Sequence, residues 1–146
     1  MNLLKGVSPV STRIALAVAL ALPAAAPVLA QDAGTVSYSS MQARQGSLLY
    51  RDNCASCHGD RLGGALEAPA LSGADFKAHW WGQPVAALHD YIVAYMPQDR
   101  PGAMEPDEYA AITAFILREN DVESSGDEAL PSDSAALGAM TLPPAE

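Results

Sequence analysis

Lysine and arginine are scarce in this 146-residue chain: eight stand against seventeen aspartates and glutamates, a formal net charge of −9. A polyanion would be repelled, so nucleic acid and anionic membrane surfaces drop out as partners, and steering towards basic patches on other proteins remains. Long apolar runs are missing too. The stretch Ile14 to Leu22 falls well below the ~20 residues of a spanning helix, and Pro23 and Pro27 follow it. Alternating strand patterns and internal repeats are absent, which leaves the all-α class. No nucleophile is paired with a general base, so the sequence offers no catalytic residues. Cysteine is nearly absent as well, with only Cys54 and Cys57.

What is present begins with an export signal. Met1 to Arg13 carries Lys5 and Arg13 and no acid; the apolar stretch follows, and Val28-Leu29-Ala30 precedes Gln31. This layout predicts a signal peptide over residues 1–30, cleaved after Ala30, and therefore a periplasmic protein. The alternative is retention of the segment as an anchor. Cleavage removes two basic residues and no acidic ones, leaving 116 residues with six basic against seventeen acidic side chains, a net charge of −11. That length suits one domain. In an exported protein a cysteine pair ordinarily becomes a disulfide, yet a bridge across two residues closes so small a loop that it adds little stability.

Residues 31–40 are polar and read as a flexible lead-in. Helices are predicted over Met41 to Asn53, over Pro84 to Tyr95 with Val85, Leu88, Ile92 and Tyr95 on one stripe, and over Pro106 to Glu119 with Tyr109, Ile112, Phe115 and Ile116. Asp107 and Glu108 complement the dipole of the last of these. Asn53 to Gly64 and Met96 to Met104 are dense in turn residues and predict loops, and Glu67 to Gly82 a loop with at most a short helix. Residues 121–146 form an acidic extension. It is either disordered or an extended wrap held by Leu130, Leu137, Met140 and Leu142. Since the predicted helices end by Glu119, truncation after Asn120 is expected to leave a folded domain with weaker partner steering.

Cys54-Ala-Ser-Cys57-His58 carries the chemistry. Two thiols two residues apart, followed at once by histidine, are the attachment signature of c-type haem. Each thiol adds to one porphyrin vinyl, and the adjacent imidazole falls beneath the ring, aimed at iron. A thioredoxin-like pair would need a strand–helix setting, which is absent. A structural zinc site wants four ligands, and His79 and His89 make no second pair; both read as surface residues.

From Gly46 through Tyr50, Asn53 and the Cys54–His58 motif to Gly59, and on to Asn120, the chain resembles the class I (mitochondrial-type) cytochrome c family, as a bacterial periplasmic mono-haem member. The resemblance covers residues 41–120 as the cytochrome domain and implies a small fold of three to five helices around one covalent haem c and its iron. Pro69-Ala-Leu71-Ser-Gly73 resembles the segment whose proline carbonyl accepts from the axial imidazole, a contact that fixes the ring and raises its basicity. Phe76 and Trp80 match an aromatic pair lining the haem. Trp80 or Trp81 is a candidate propionate donor, with apolar filling as the other reading. Met96-Pro97 resembles the second axial ligand, a thioether that raises the haem potential. Met104, in the same loop, is its rival. Gly46 is expected to admit the last helix close to the first, with Tyr50 against Ile112 and Phe115.

With porphyrin, His58 and Met96 filling all six positions, the implied role is a one-electron carrier between a respiratory or dehydrogenase donor and a terminal acceptor, with a dehydrogenase, an oxidase or another cytochrome as partner. Two other roles stay open. The chain is the cytochrome subunit or dedicated acceptor of a periplasmic, for example quinoprotein, dehydrogenase, or it is a haem-based sensor or peroxidase with a displaceable sixth ligand.

Overall fold

The structure, a computed structural model, describes residues 35–65 and 68–144. The predicted signal peptide lies outside the described residues. Among the described residues six helices follow one another: α1 Ser40–Asn53, α2 Ala55–His58, α3 Ala74–Trp80, α4 Val85–Tyr95, α5 Pro106–Glu119 and α6 Ser134–Gly138. Among the described residues there is no strand, only two isolated bridges, Ala65 with Ala68 and Pro84 with Thr141. The fold is small and all-α, as expected.

Helix α1 starts where Ser39 Oγ accepts the Gln42 N–H at 3.0 Å, the cap that satisfies one orphan donor of the first turn. Helix α5 starts with Pro106 in its first turn, while the Glu108 carboxylate accepts the Glu105 N–H at 3.0 Å. These two helices make the most extensive contact of the fold. Gly46 permits it: a Cβ there would lie 1.8 Å from the Ala111 carbonyl oxygen and 3.0 Å from Phe115 Cβ. One turn further on, the Tyr50 and Phe115 rings meet with centroids 5.2 Å apart. Glycine costs a helix interior about 1 kcal/mol relative to alanine, and the close crossing offsets it. Every residue of α5 from Tyr109 to Leu117 is buried.

Helix α4 packs on both α5 and α6. Val85, Leu88 and Ile92 are buried as its stripe predicts, but Tyr95 is 57 % exposed. His89 departs from expectation in the other direction. It is only 2 % exposed, because it lies on the stripe of Val85, Leu88 and Ile92 at positions i, i+3, i+4 and i+7. His79 is exposed on α3.

Both ends of the described chain are packed, against the reading of a flexible lead-in and in line with the wrap that was one of the two readings of the tail. Val36 and Tyr38 are buried, and the lead-in pairs with the tail. The Tyr38 hydroxyl donates to the Val122 carbonyl, the Tyr38 N–H to Ser124 Oγ at 2.9 Å, and the Ser125 N–H to the Val36 carbonyl at 2.9 Å. Further on, Gln42 holds Leu130 twice, by donating from Nε2 to its carbonyl at 2.9 Å and accepting its N–H at 2.7 Å. Asp133 caps α6, and the strand-like end returns to α4, with Val85 N–H to the Met140 carbonyl and Leu142 N–H to the Gln83 carbonyl, each 2.9 Å. Leu130, Leu137 and Leu142 are fully buried, while Glu123, Asp127, Glu128 and Asp133 face outward. The tail is an ordered wrap whose leucines belong to the core.

Candidate functional site

The cysteine motif occupies the corner where α1 ends. Cys54 is the C-cap of α1 and the N-cap of α2, so Cys57 and His58 sit one turn on, at the end of a four-residue helix. The Cys57 and His58 N–H groups both donate to the Cys54 carbonyl, at 3.1 and 2.9 Å. The corner is pinned from outside by the Tyr50 hydroxyl, which donates to the Gly59 carbonyl at 2.7 Å, and by Arg100, which donates to Asn53 Oδ1 at 2.7 Å. Both cysteines are free thiols. Burial pushes the Cys54 thiol up to about 11, with the Arg100 cation opposing that rise. It is therefore protonated at neutral pH, and the thiolate needed for disulfide exchange is rare.

His58 is buried and its Nδ1 lies 2.9 Å from the Pro69 carbonyl oxygen. A carbonyl can only accept, so Nδ1 carries the proton and Nε2 is left as the basic nitrogen. No buried side-chain nitrogen or oxygen among the described residues lacks a partner. Two free thiols and an imidazole oriented through its other nitrogen fit a covalently held haem, the thiols suited to the porphyrin vinyls and the imidazole to its iron.

The proline segment is held from two sides. Gly64 lies at φ +74°, and a Cβ there would come within 2.7 to 2.9 Å of the backbone of Ala68, Pro69 and Ala70; only glycine combines that dihedral with that approach. From behind, Asn120 at the end of α5 donates to the Leu71 carbonyl at 2.8 Å and accepts the Gly73 N–H at 3.2 Å. Asn120 is fully buried. Sequence reasoning missed this role, since an asparagine at a helix end reads as a simple stop signal and its partners lie nearly fifty residues away.

Phe76 is buried, with Trp80 and Trp81 half-buried around it at centroid distances of 6.4 and 6.2 Å. Lys77 lies over the Trp81 ring, 5.7 Å from its centroid. An aromatic series continues from Trp80 to Tyr91 at 5.6 Å and from Tyr91 to Tyr95 at 4.9 Å. This brings α3 up to the end of α4, where Met96 is the C-cap. Met96 and Met104 are both half-buried against the core, so burial alone does not separate them. The Tyr109 hydroxyl donates to the Met96 carbonyl at 2.9 Å. Among the described residues no group of three or more His, Cys, Asp or Glu side chains forms a separate metal site, and no helix is long and apolar enough to cross a membrane.

These helices around a Cys-x-x-Cys-His corner define a class I c-type cytochrome domain. The model of the family described as cytochrome c oxidase, cbb3-type, subunit III matches residues 41–116, and the chain belongs to that family. Residues 41–116 are thus a c-type cytochrome domain, whose cofactor is covalently bound haem c with its iron. Among solved structures it is similar to the sulfane dehydrogenase SoxCD from Paracoccus pantotrophus, with 26 % identity and a TM-score of 0.55. The alignment covers 78 % of this chain and 62 % of that one, so the chain spans less than two thirds of the relative's length. No curated protein matches.

Proposed function

We propose that this is a periplasmic mono-haem cytochrome, exported by residues 1–30, which passes single electrons from a respiratory or dehydrogenase donor to a terminal acceptor. Cys54 and Cys57 attach the haem, and His58 and Met96 are its axial ligands. Pro69 orients His58, and Phe76 and Trp80 line the ring. The domain core is residues 41–120, with residues 35–40 and 121–142 packed on it. The haem supplies the one-electron couple; the protein excludes water and keeps both ligands in place whether the iron is ferric or ferrous. With both axial positions taken, there is no seat for a substrate, and the activity is transfer rather than catalysis.

The observation that supports this reading most directly is the contact of His58 Nδ1 with the Pro69 carbonyl, which readies Nε2 for iron beside two free thiols. The axial assignment is tested by two variants. Met96→Ala is expected to lose the weak long-wavelength sulfur-to-ferric-iron band and to lower the reduction potential, whereas Met104→Ala keeps both. The opposite pattern would make Met104 the ligand.

Likeness to SoxCD, a structure of a dehydrogenase, favours a second reading in which the chain is the cytochrome subunit or dedicated acceptor of a periplasmic dehydrogenase. The family description points in turn to an oxidase subunit. Copurification from periplasm distinguishes them: a stable stoichiometric complex identifies a subunit, and a free monomer a diffusing carrier.

A further inference from the structure

Helices α4 and α5 are joined by a polar seam inside an otherwise apolar interface. On α4 the groups are His89 and Met96, seven residues apart. On α5 they are Thr113 and Tyr109, four residues apart in the reverse sense. His89 Nδ1 lies 3.2 Å from Thr113 Oγ1, and that hydroxyl donates to the Tyr109 carbonyl at 2.9 Å. Because the single hydroxyl proton is committed to that carbonyl, the oxygen accepts from Nδ1–H. At the other end Tyr109, itself only 2 % exposed, donates its phenol proton to the Met96 carbonyl at 2.9 Å. Here α4 stops and the loop of Pro97, Pro101 and Gly102 begins, a segment with few regular hydrogen bonds of its own.

We propose that Tyr109 is a positioning residue for the second axial ligand: its hydroxyl pins the Met96 backbone and so keeps the thioether on iron. This rests on the Met96 assignment above. A backbone carbonyl held from the first turn of α5 cannot drift without leaving a buried phenol unpaired, and such a group is costly in an apolar interface. The Thr113–His89 rung holds the same two helices together two turns away from the ligand. It supplies stability to the interface without touching the ligand loop.

Three variants of the holoprotein separate the possibilities. Tyr109→Phe keeps the ring and removes one hydrogen bond at the ligand. Thr113→Val removes hydrogen bonds from the same seam away from it. The readouts are the sulfur-to-iron band, the reduction potential and carbon monoxide binding by the ferrous protein, set beside thermal stability. Tyr109→Phe is expected to weaken the band, lower the potential and raise the fraction of ferrous protein open to carbon monoxide about fivefold, the population change that follows loss of one net hydrogen bond. Thr113→Val is expected to lose stability with band, potential and carbon monoxide exclusion unchanged. Unchanged ligand readouts in Tyr109→Phe overturn the inference, as do equal changes in both variants at equal loss of stability. Met96→Ala serves as the reference: if it keeps the band, the ligand assignment fails first and the inference falls with it.

Discussion

A histidine seated on the stripe of Val85, Leu88 and Ile92 is compatible with packing only while it is neutral. Burial lowers the His89 pKa from its ordinary 6.5, with the neighbouring Asp90 carboxylate opposing the shift. The unfolded chain then takes up a proton at a higher pH than the folded one. Above about 6.5 both states are neutral and the seam contributes fully; as pH falls from there towards the lowered folded value, stability is lost. The unfolding free energy of wild type minus that of His89→Gln is therefore expected to decline as pH drops from 7 towards 5. A difference that stays flat across that window, or rises, would mean that His89 titrates as freely in the fold as out of it. Sequence held the cue to this burial, because position 89 completes the i, i+3, i+4, i+7 pattern. Residue type pointed the other way, since an unpaired histidine ordinarily sits at the surface.

Among the elements, α5 matches the range read from sequence, Pro106 to Glu119. Its start is marked by proline and acidic residues and its body by a long apolar period. α1 and α4 differ by a residue at the start, where Ser39 and Pro84 take the cap positions. The short helices α2, α3 and α6 were not legible in the same way, because four to seven residues hold less than two turns of periodicity. The tail was ambiguous for a related reason: Leu130, Leu137 and Leu142 share no single period, and acidic residues surround them. Their burial depends on Gln42, Tyr38 and the start of α4, all remote in sequence. The expectation of a dispensable tail is accordingly replaced. Truncation after Asn120 uncovers the faces of α1 and α4 that the leucines fill, and thermal unfolding should show a large fall in midpoint. Leu137→Ala alone should cost about 2–5 kcal/mol, the usual range for a fully buried leucine. A truncated protein that melts like the full chain, with only its partner kinetics slowed, would restore the view of the tail as a steering element.

At the scale of the whole molecule, charge and packing divide the same segments between them. The wrap turns leucines inward and carboxylates outward, so an acidic composition coexists with an ordered surface. The haem corner and the proline segment beside it are held from four places along the chain: Tyr50 from α1, Gly64 from the loop after α2, Arg100 from the α4–α5 loop and Asn120 from the end of α5. The five-residue motif announced the chemistry because covalent attachment and ligation need those residue types at that spacing. Its supports were illegible because each is an ordinary residue made important by a partner far along the chain. All of them support the proposed covalent attachment of haem at Cys54 and Cys57. The direct measurement is a pyridine haemochrome spectrum of purified protein after acid–acetone extraction. The haem is expected to stay with the protein, at one per chain, with the α-band position of a porphyrin whose two vinyl groups are both saturated. Haem that leaves with the acetone, or an α-band showing intact vinyls, would contradict that attachment.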